Sequence, residues 1–302
     1  MIAVEDSYDS ESICPGQAYR LKEKLMNDFI VSFICHKLRI KDSAKIEIEA
    51  KKKLSPDVAQ QLKKYFSKKK GVRHIKSAVF VDQFIDTPDF DIFHSGSSLR
   101  IRYKGDGSNV YLQYKGHGFS HKGLLFRSEF SSGKIKSLVK EESHHDIIHF
   151  HDSKFRDILE KSIPRDMKEV LSKHFSPAII NKIKVAPVIS IYRKEKYLVN
   201  LGKCALEPSL DHISAFHINR DSFHSVSNFW EYENEVKSRD NDLDAKLARV
   251  DDLLEFDAAL AKKFPLHPEP LDKYHRILNC FMKGSPAQPE IFAENVPDFS
   301  RR

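Results

Sequence analysis

The chain has 302 residues, 40% of them apolar, which is enough to bury a sizeable core and excludes a disordered or low-complexity protein. Fifty lysines and arginines against 43 acids give a net charge of +7, which favours an anionic partner such as nucleic acid, polyphosphate or nucleotide without choosing among them. Cys14, Cys35, Cys204 and Cys280 form no CxxC pair, no run is apolar enough to span a bilayer, and the acidic start MIAVEDSYDSES is no secretory signal; reduced thiols and a soluble cytoplasmic protein are expected.

Residues 1–17 are polar and acidic. From Ala18 to Leu38 the apolar positions Leu21, Leu25, Met26, Phe29, Ile30, Phe33 and Ile34 recur at three and four, predicting an amphipathic helix packed on the flank of the fold, so that residues 1–44 read as an N-terminal extension. Next comes KIEIEAKKKL, Lys45 to Leu54. As a strand it places Glu47, Glu49, Lys51 and Lys53 on one face and Ile46, Ile48 and Ala50 on the other. As a helix it would make i,i+4 ion pairs from Glu47 to Lys51 and from Glu49 to Lys53. The β-branched pair Ile46 and Ile48 favours the strand, as does a fresh helix start at once afterwards, with Ser55 as N-cap, Pro56 in the first turn and Asp57 behind it. Carboxylates about 7 Å apart repel by roughly 2.4 kcal/mol at an effective dielectric near 20. Two of them on one strand face therefore mean either a solvated polar surface or a confined space in which acids hold a metal and bases hold a phosphate chain.

A helix is expected over Ser55–Ser67, a basic turn at SKKKGVRH, and a strand over Ser77–Asp86 closed by the turn Thr87–Asp89. Gly96 permits a tight approach, and Leu99–Lys104 alternates Leu99, Ile101 and Tyr103 against Arg100, Arg102 and Lys104. GDGSN reads as a hairpin turn, and the returning strand Val110–Lys115 carries Tyr111, Gln113 and Lys115 on one side. In a flat sheet such charged faces meet water; in a closed barrel with helices outside they line a tunnel.

At this point the sequence resembles a family. Glu47, Glu49 and Lys51 fit an ExExK signature, and FIDTPDFDIFHSGSSLRIR, Phe84 to Arg102, is similar to the YFDTPDxxLxxxGxxLRxR segment of the CYTH domain, the triphosphate tunnel metalloenzymes. The likeness continues over about residues 45–282, leaving 283–302 as a tail. It implies an α+β fold built on a closed antiparallel β-barrel of about eight strands with a charged tunnel. By resemblance Lys115, Arg127 and Glu129 match interior positions of two further strands, Arg193 matches a phosphate-binding arginine, and Asp211 matches a late acidic residue. WEYENEVK resembles the terminal acidic strand, giving Glu233 and Glu235, with Glu231 and Lys237 on the same face by parity. PLDKYHRIL resembles a C-terminal SKY-like element that brings Lys273 to the tunnel, with Asp272 standing where the serine is expected. Helices are expected in the intervening insertion, at Ser153–Leu171 and Phe175–Ile183. His144, His145, His149 and His151 fall in the same insertion and read as a surface loop.

The implied roles follow. Glu47, Glu49 and Lys51 would be catalytic. Lys51, Arg100, Arg102, Lys115, Arg127, Arg193, Lys237 and Lys273 would bind substrate. Glu47, Glu49, Glu129, Asp211, Glu233 and Glu235 would bind Mg2+ or Mn2+. The implied reaction is hydrolysis of inorganic tripolyphosphate or a small organic triphosphate; adenylyl cyclisation, thiamine triphosphate hydrolysis, RNA 5′-triphosphate hydrolysis and a non-catalytic polyphosphate or nucleotide sensor are the alternatives. One basic turn without interleaved aromatics is a poor platform for nucleic acid, so the expected partner is a small triphosphate.

Overall fold

The computed structural model describes residues 15–104, 109–135, 165–183, 185–219 and 222–284. Helix α1 (Pro15–Leu38) leads through a short 3-10 turn into β1 (Ile46–Leu54). Helix α2 (Pro56–Lys68) starts where the sequence indicates, with the Ser55 hydroxyl accepting from the Val58 N–H at 3.3 Å. There follow β2 (Val72–Ile85), the single turn α3 (Asp91–His94), β3 (Ser98–Lys104), β4 (Val110–His121) and β5 (Leu124–Ser131). Helices α4 (Arg165–His174) and α5 (Pro177–Lys182) precede β6 (Ile189–Leu201), β7 (Cys204–Asn219) and β8 (Ser222–Ser238). Helices α6 (Leu243–Leu247) and α7 (Val250–Ala261), the two-residue β9 (His267–Pro268) and α8 (Lys273–Met282) complete the described chain.

Eight strands form a closed antiparallel ring. The order runs β5-β4-β3-β2-β6-β7-β8-β1, and β1 pairs back to β5 through Glu47 opposite Arg127 and Glu49 opposite Leu125. Closure removes the open edges a flat sheet would leave and gives every strand an inner and an outer face. On β1 the outer residues Ile46, Ile48 and Ala50 are buried with Ile34 and Leu38 of α1, Leu243 of α6 and Leu253 of α7. Elsewhere the outer wall is covered by α2, through Val58, Leu62 and Phe66, and by α4, through Met167 and Leu171. Tyr274, Ile277 and Leu278 of α8 pack with Phe84 and Ile213. At the bend before β3, Gly96 has φ +74°, which favours glycine, and a Cβ there would also stand 2.6 Å from the exposed His117 ring, which would have to move aside.

Several expectations change. Of the α1 apolar positions from Met26 onward, Ile34 and Leu38 at the C-terminal end face the core, whereas Met26, Phe29, Ile30 and Phe33 are exposed. Strand β2 starts five residues before the expected Ser77, taking Val72, Arg73 and His74 out of the basic turn. Helix α4 runs on to His174, past the expected Leu171, and α5 covers Pro177–Lys182 of the expected Phe175–Ile183; residues 153–164, residues 105–108 of the expected hairpin turn, Cys14, the four histidines His144, His145, His149 and His151, and residues 285–302 lie outside the described residues. No helix among the described residues is long and apolar enough to cross a membrane.

Candidate active site: a charged cavity inside the ring

The inner faces of the strands enclose a cavity of about 180 Å³ lined by ten basic and seven acidic side chains, among them Glu47, Glu49, Lys51, Arg100, Arg102, Lys115, Arg127, Glu129, Glu233, Glu235, Lys237 and Lys273. Period-two alternation in β1, β3, β4, β5 and β8 delivers all of these groups except Lys273, which starts helix α8, while their strand neighbours build the outer core. Buried charges are costly unless paired, and almost all of these are. The pairing divides into three neighbourhoods.

In the first, Asp211 of β7 and Glu231 and Glu233 of β8 each offer an oxygen within 4.8 Å of the others. Three ammonium groups interleave them. Lys51 lies 3.0 Å from Glu233; Lys194 lies 3.1 Å from Asp211 and 2.7 Å from Glu233. Lys273 lies 3.0 Å from Asp211, 2.8 Å from Glu231 and 2.6 Å from Glu233. Burial opposes ionisation of Glu233, but Lys194, Lys273 and Lys51 outweigh it and hold the carboxyl well below its usual range. Burial likewise opposes the charge on Lys51, yet Glu233, Glu49 and Glu231 raise its pKa and keep it an ammonium. Three acids therefore meet three bases.

The second neighbourhood is not balanced. Lys115 pairs with Glu47 at 2.6 Å and with Glu129 at 3.2 Å. Arg127 reaches Glu47 at 3.4 Å, Glu49 at 3.3 Å and Asp272 at 3.0 Å, and Lys237 pairs with Glu235. Five carboxylates, Glu47, Glu49, Glu129, Glu235 and Asp272, thus share three permanent cations of their own, with Lys51 of the first neighbourhood 3.7 Å from Glu49 as a fourth. The crowding has an electrostatic signature: burial and then the Glu47 charge push the Glu235 carboxyl up to about 8, against the pull of Lys237. Glu47 itself is held well below its usual range, because Lys115, Arg127 and Lys237 outweigh its burial.

The third neighbourhood anchors the arginines. Asp82 of β2, fully buried, accepts from Arg102 at 2.7 and 2.8 Å and pairs with Arg100 Nη1 at 3.0 Å. Arg102 also donates to the Tyr192 hydroxyl and lies 5.2 Å from the Phe80 ring centre. A bidentate fork under an aromatic face fixes the guanidinium before any ligand arrives.

One expected residue is elsewhere. Arg193 lies on the outer face of β6, with a side chain 48% exposed and 3.3 Å from Glu195, and its neighbour Lys194 points inward to Asp211 and Glu233. Asp211 stands behind the cavity lining, fully buried under Lys194 and Lys273. Residues that the sequence reading did not place in the site are Asp82, Lys194 and, beyond its parity, Glu231. Asp82 has a signal in the sequence, a lone carboxylate inside the apolar strand VFVDQF, but its partner is set by the Asp82 to Arg102 register, which only pairing reveals.

The donors fit a hard divalent cation. They are carboxylate oxygens, they crowd in excess of their cations, and Glu49 Oε1 is buried without accepting a hydrogen bond.

The CYTH domain profile matches residues 45–264. The chain belongs to the CYTH domain family. Among solved structures, HpAC1 from Hippeastrum, described as an adenylyl cyclase candidate with a dominant triphosphatase activity, shares 21% identity over 79% of this chain and 96% of its own, with a TM-score of 0.52. At that identity the likeness is one of fold, and it matches the closed ring. An adenylate cyclase candidate from Bacillus halodurans (17% identity, TM-score 0.45, 77% of this chain and 97% of that one) also aligns. So does the Mimivirus capping enzyme triphosphatase (10%, 0.39, 78% and 97%). No curated protein sequence matches the chain significantly.

Proposed function

We propose that this CYTH protein hydrolyses a triphosphate, either inorganic tripolyphosphate or a small organic triphosphate, with Mg2+ or Mn2+ held by Glu47, Glu49 and Glu235 and flanked by Glu129 and Glu233. The observation that carries the reading is the imbalance in the second neighbourhood, five carboxylates on three cations of their own and a shared Lys51, in the same cavity as Arg100 and Arg102 held by Asp82. Carboxylates alone would repel a phosphate chain, and bases alone would bind it without activating water; a cavity holding both suits metal-assisted phosphoryl transfer. When bound, the divalent ion supplies charge neutralisation at the phosphate oxygens and a more acidic water.

The chain's own residues do the rest. Arg100 and Arg102, held by Asp82, keep donors for phosphate oxygens, and their fixed orientation means little is lost on binding. Lys115, Arg127 and Lys237 exchange carboxylate partners for phosphate oxygens. Lys51, kept charged by Glu233, Glu49 and Glu231, is unsuited to taking a proton and instead stabilises charge on the leaving phosphate. A group confined by the ring need not be covalently captured, so positioning and electrostatics suffice.

The test is a substrate panel of tripolyphosphate, ATP, thiamine triphosphate and a 5′-triphosphorylated RNA, each with Mg2+, Mn2+ or chelator, scored for phosphate, pyrophosphate and cyclic nucleotide. The reading expects phosphate release from tripolyphosphate or a small triphosphate, none in chelator, and a shallower salt dependence than an RNA enzyme would show. Cyclic nucleotide as the main product, or RNA as the fastest substrate at physiological salt, would replace it with one of the alternatives.

A further inference from the structure

On the outside of the ring, where α2 crosses β6, β7 and β8, lies a second cavity of about 280 Å³, lined in part by Gln60, Lys63, Arg193, Glu195, His212 and Trp230. Its floor is aromatic. His212 and Trp230 sit opposite each other on β7 and β8, with ring centres 4.2 Å apart and planes 8° from parallel. Trp230, one face of which is covered by His212, is only partly buried and lines the cleft with a large polarisable ring.

The wall is cationic. Lys63 and Arg193 both approach one oxygen of Glu195, at 2.9 and 3.3 Å, and both side chains are about half exposed, 49% and 48%. The other Glu195 oxygen is occupied by His74 at 3.0 Å and by the Ser77 hydroxyl. A single carboxylate thus serves two permanent cations, leaving an excess positive charge at the cleft. Arg193 approaches Glu195 through Nε, and its half-exposed guanidinium is of the kind that forms a fork onto a phosphate or carboxylate. An aromatic floor beside an arginine fork and a lysine is a combination that recognises a flat ring carrying an anion. The volume lies near the lower end of small-molecule sites, about 300 Å³, which limits the occupant to a small ligand.

We propose that this outer cleft is a second binding site, for a small aromatic phosphate of the nucleoside monophosphate class, with its ring packed against Trp230, which is braced by its stack on His212, and its phosphate held by Arg193 and Lys63. The site is separated from the cavity by the strand wall itself: Arg193 and Lys194 are neighbours on β6 that face opposite sides. It does not depend on what the interior hydrolyses.

Trp230 is the only tryptophan in the chain, so tryptophan fluorescence reports on this cleft alone. AMP, adenosine and inorganic phosphate are titrated against the full chain, with equilibrium dialysis of labelled AMP alongside so that binding without a spectral change is counted. The expected result is saturable AMP binding that alters Trp230 emission, with adenosine and phosphate each weaker by at least about tenfold because each lacks one half of the contacts. The double variant Lys63→Ala/Arg193→Ala, both half-exposed positions, should weaken AMP by at least about tenfold and keep the native melting curve. The interior variants Arg127→Ala and Lys237→Met should leave AMP affinity unchanged. No AMP binding by dialysis, phosphate binding as tightly as AMP, or AMP binding lost in the interior variants and kept in the double variant would each overturn the proposal.

Discussion

Two groups of carboxylates inside the same ring behave differently. Asp211, Glu231 and Glu233 are met by Lys51, Lys194 and Lys273, with Arg276 3.7 Å from Glu231, whereas Glu47, Glu49, Glu129, Glu235 and Asp272 share Lys115, Arg127 and Lys237, with Lys51 3.7 Å from Glu49. The geometrically tightest trio is the first, yet it is the second that is short of positive charge. Proximity of oxygens alone does not mark a cation site; the charge around them does. The first group reads as structural scaffolding that also positions Lys51 and Lys273, and the second as the place for a divalent ion.

The comparison breaks most visibly at Lys273. Lys273→Met leaves three buried carboxylates with two ammonium groups, and the expected loss is about 3–5 kcal/mol in denaturant unfolding, as for other broken buried pairs. A loss below about 1 kcal/mol would mean the trio is not held by its lysines. In the second group the opposite is expected. Glu235→Gln removes a carboxylate that burial and Glu47 already disfavour, so the metal-free protein should melt no lower than the parent, while turnover in saturating Mg2+ falls by at least about 100-fold. Glu47→Gln should show the same loss of turnover. A smaller effect is expected at the arginine row: Arg100→Ala removes one of two guanidiniums on Asp82 and should raise KM for the triphosphate about tenfold, with Arg102 still covering Asp82.

The smallest effect is a pH dependence where α8 meets the cavity. His275 Nδ1 lies 2.7 Å from Asp272 Oδ1 and Nε2 lies 2.9 Å from the Phe93 carbonyl, an arrangement that satisfies both nitrogens when both carry protons. Burial opposes that charge, but the Asp272 hydrogen bond and charge outweigh it and raise the His275 pKa above 6.5. A raised histidine contributes stability that is fully present below the unfolded value and is lost as pH rises through the folded value. Melting temperature should therefore decline above about pH 6.5, and His275→Gln should flatten that part of the curve. An unchanged slope in the variant would assign the decline to other groups.

Much of this was legible in the sequence because strands alternate. The division of β1 and β3 into a charged face with Glu47, Glu49, Lys51, Arg100 and Arg102 and an apolar face with Ile46, Ile48, Leu99 and Ile101 follows from period two, whereas closure into a ring comes from the family resemblance, since the same alternation suits a flat sheet. Strand β6 was not legible in the same way. In IYRKEKY both faces are charged, since outside Arg193 pairs with Glu195, which also takes Lys63 and His74, while Lys194 and Lys196 find partners inside in Asp211, Glu233 and Glu207. Composition then gives no inside, and a resemblance that carries over an arginine chooses the wrong neighbour. Asp82 was hidden because its meaning depends on register with β3, and α1 misled because Met26, Phe29, Ile30 and Phe33 have core-like spacing on a face that no described element covers.

The central claim, that the charge-deficient carboxylate group holds the divalent ion, is tested most directly by Mn2+ binding, read from the loss of the free-ion paramagnetic resonance signal, in the parent chain and in Glu47→Gln and Glu235→Gln. The account predicts saturable Mn2+ binding by the parent, reversed by chelator, and binding weakened by at least about tenfold in each variant. Mn2+ binding that is unchanged in both variants, or a parent chain that binds none and turns over fully in excess chelator, would contradict it.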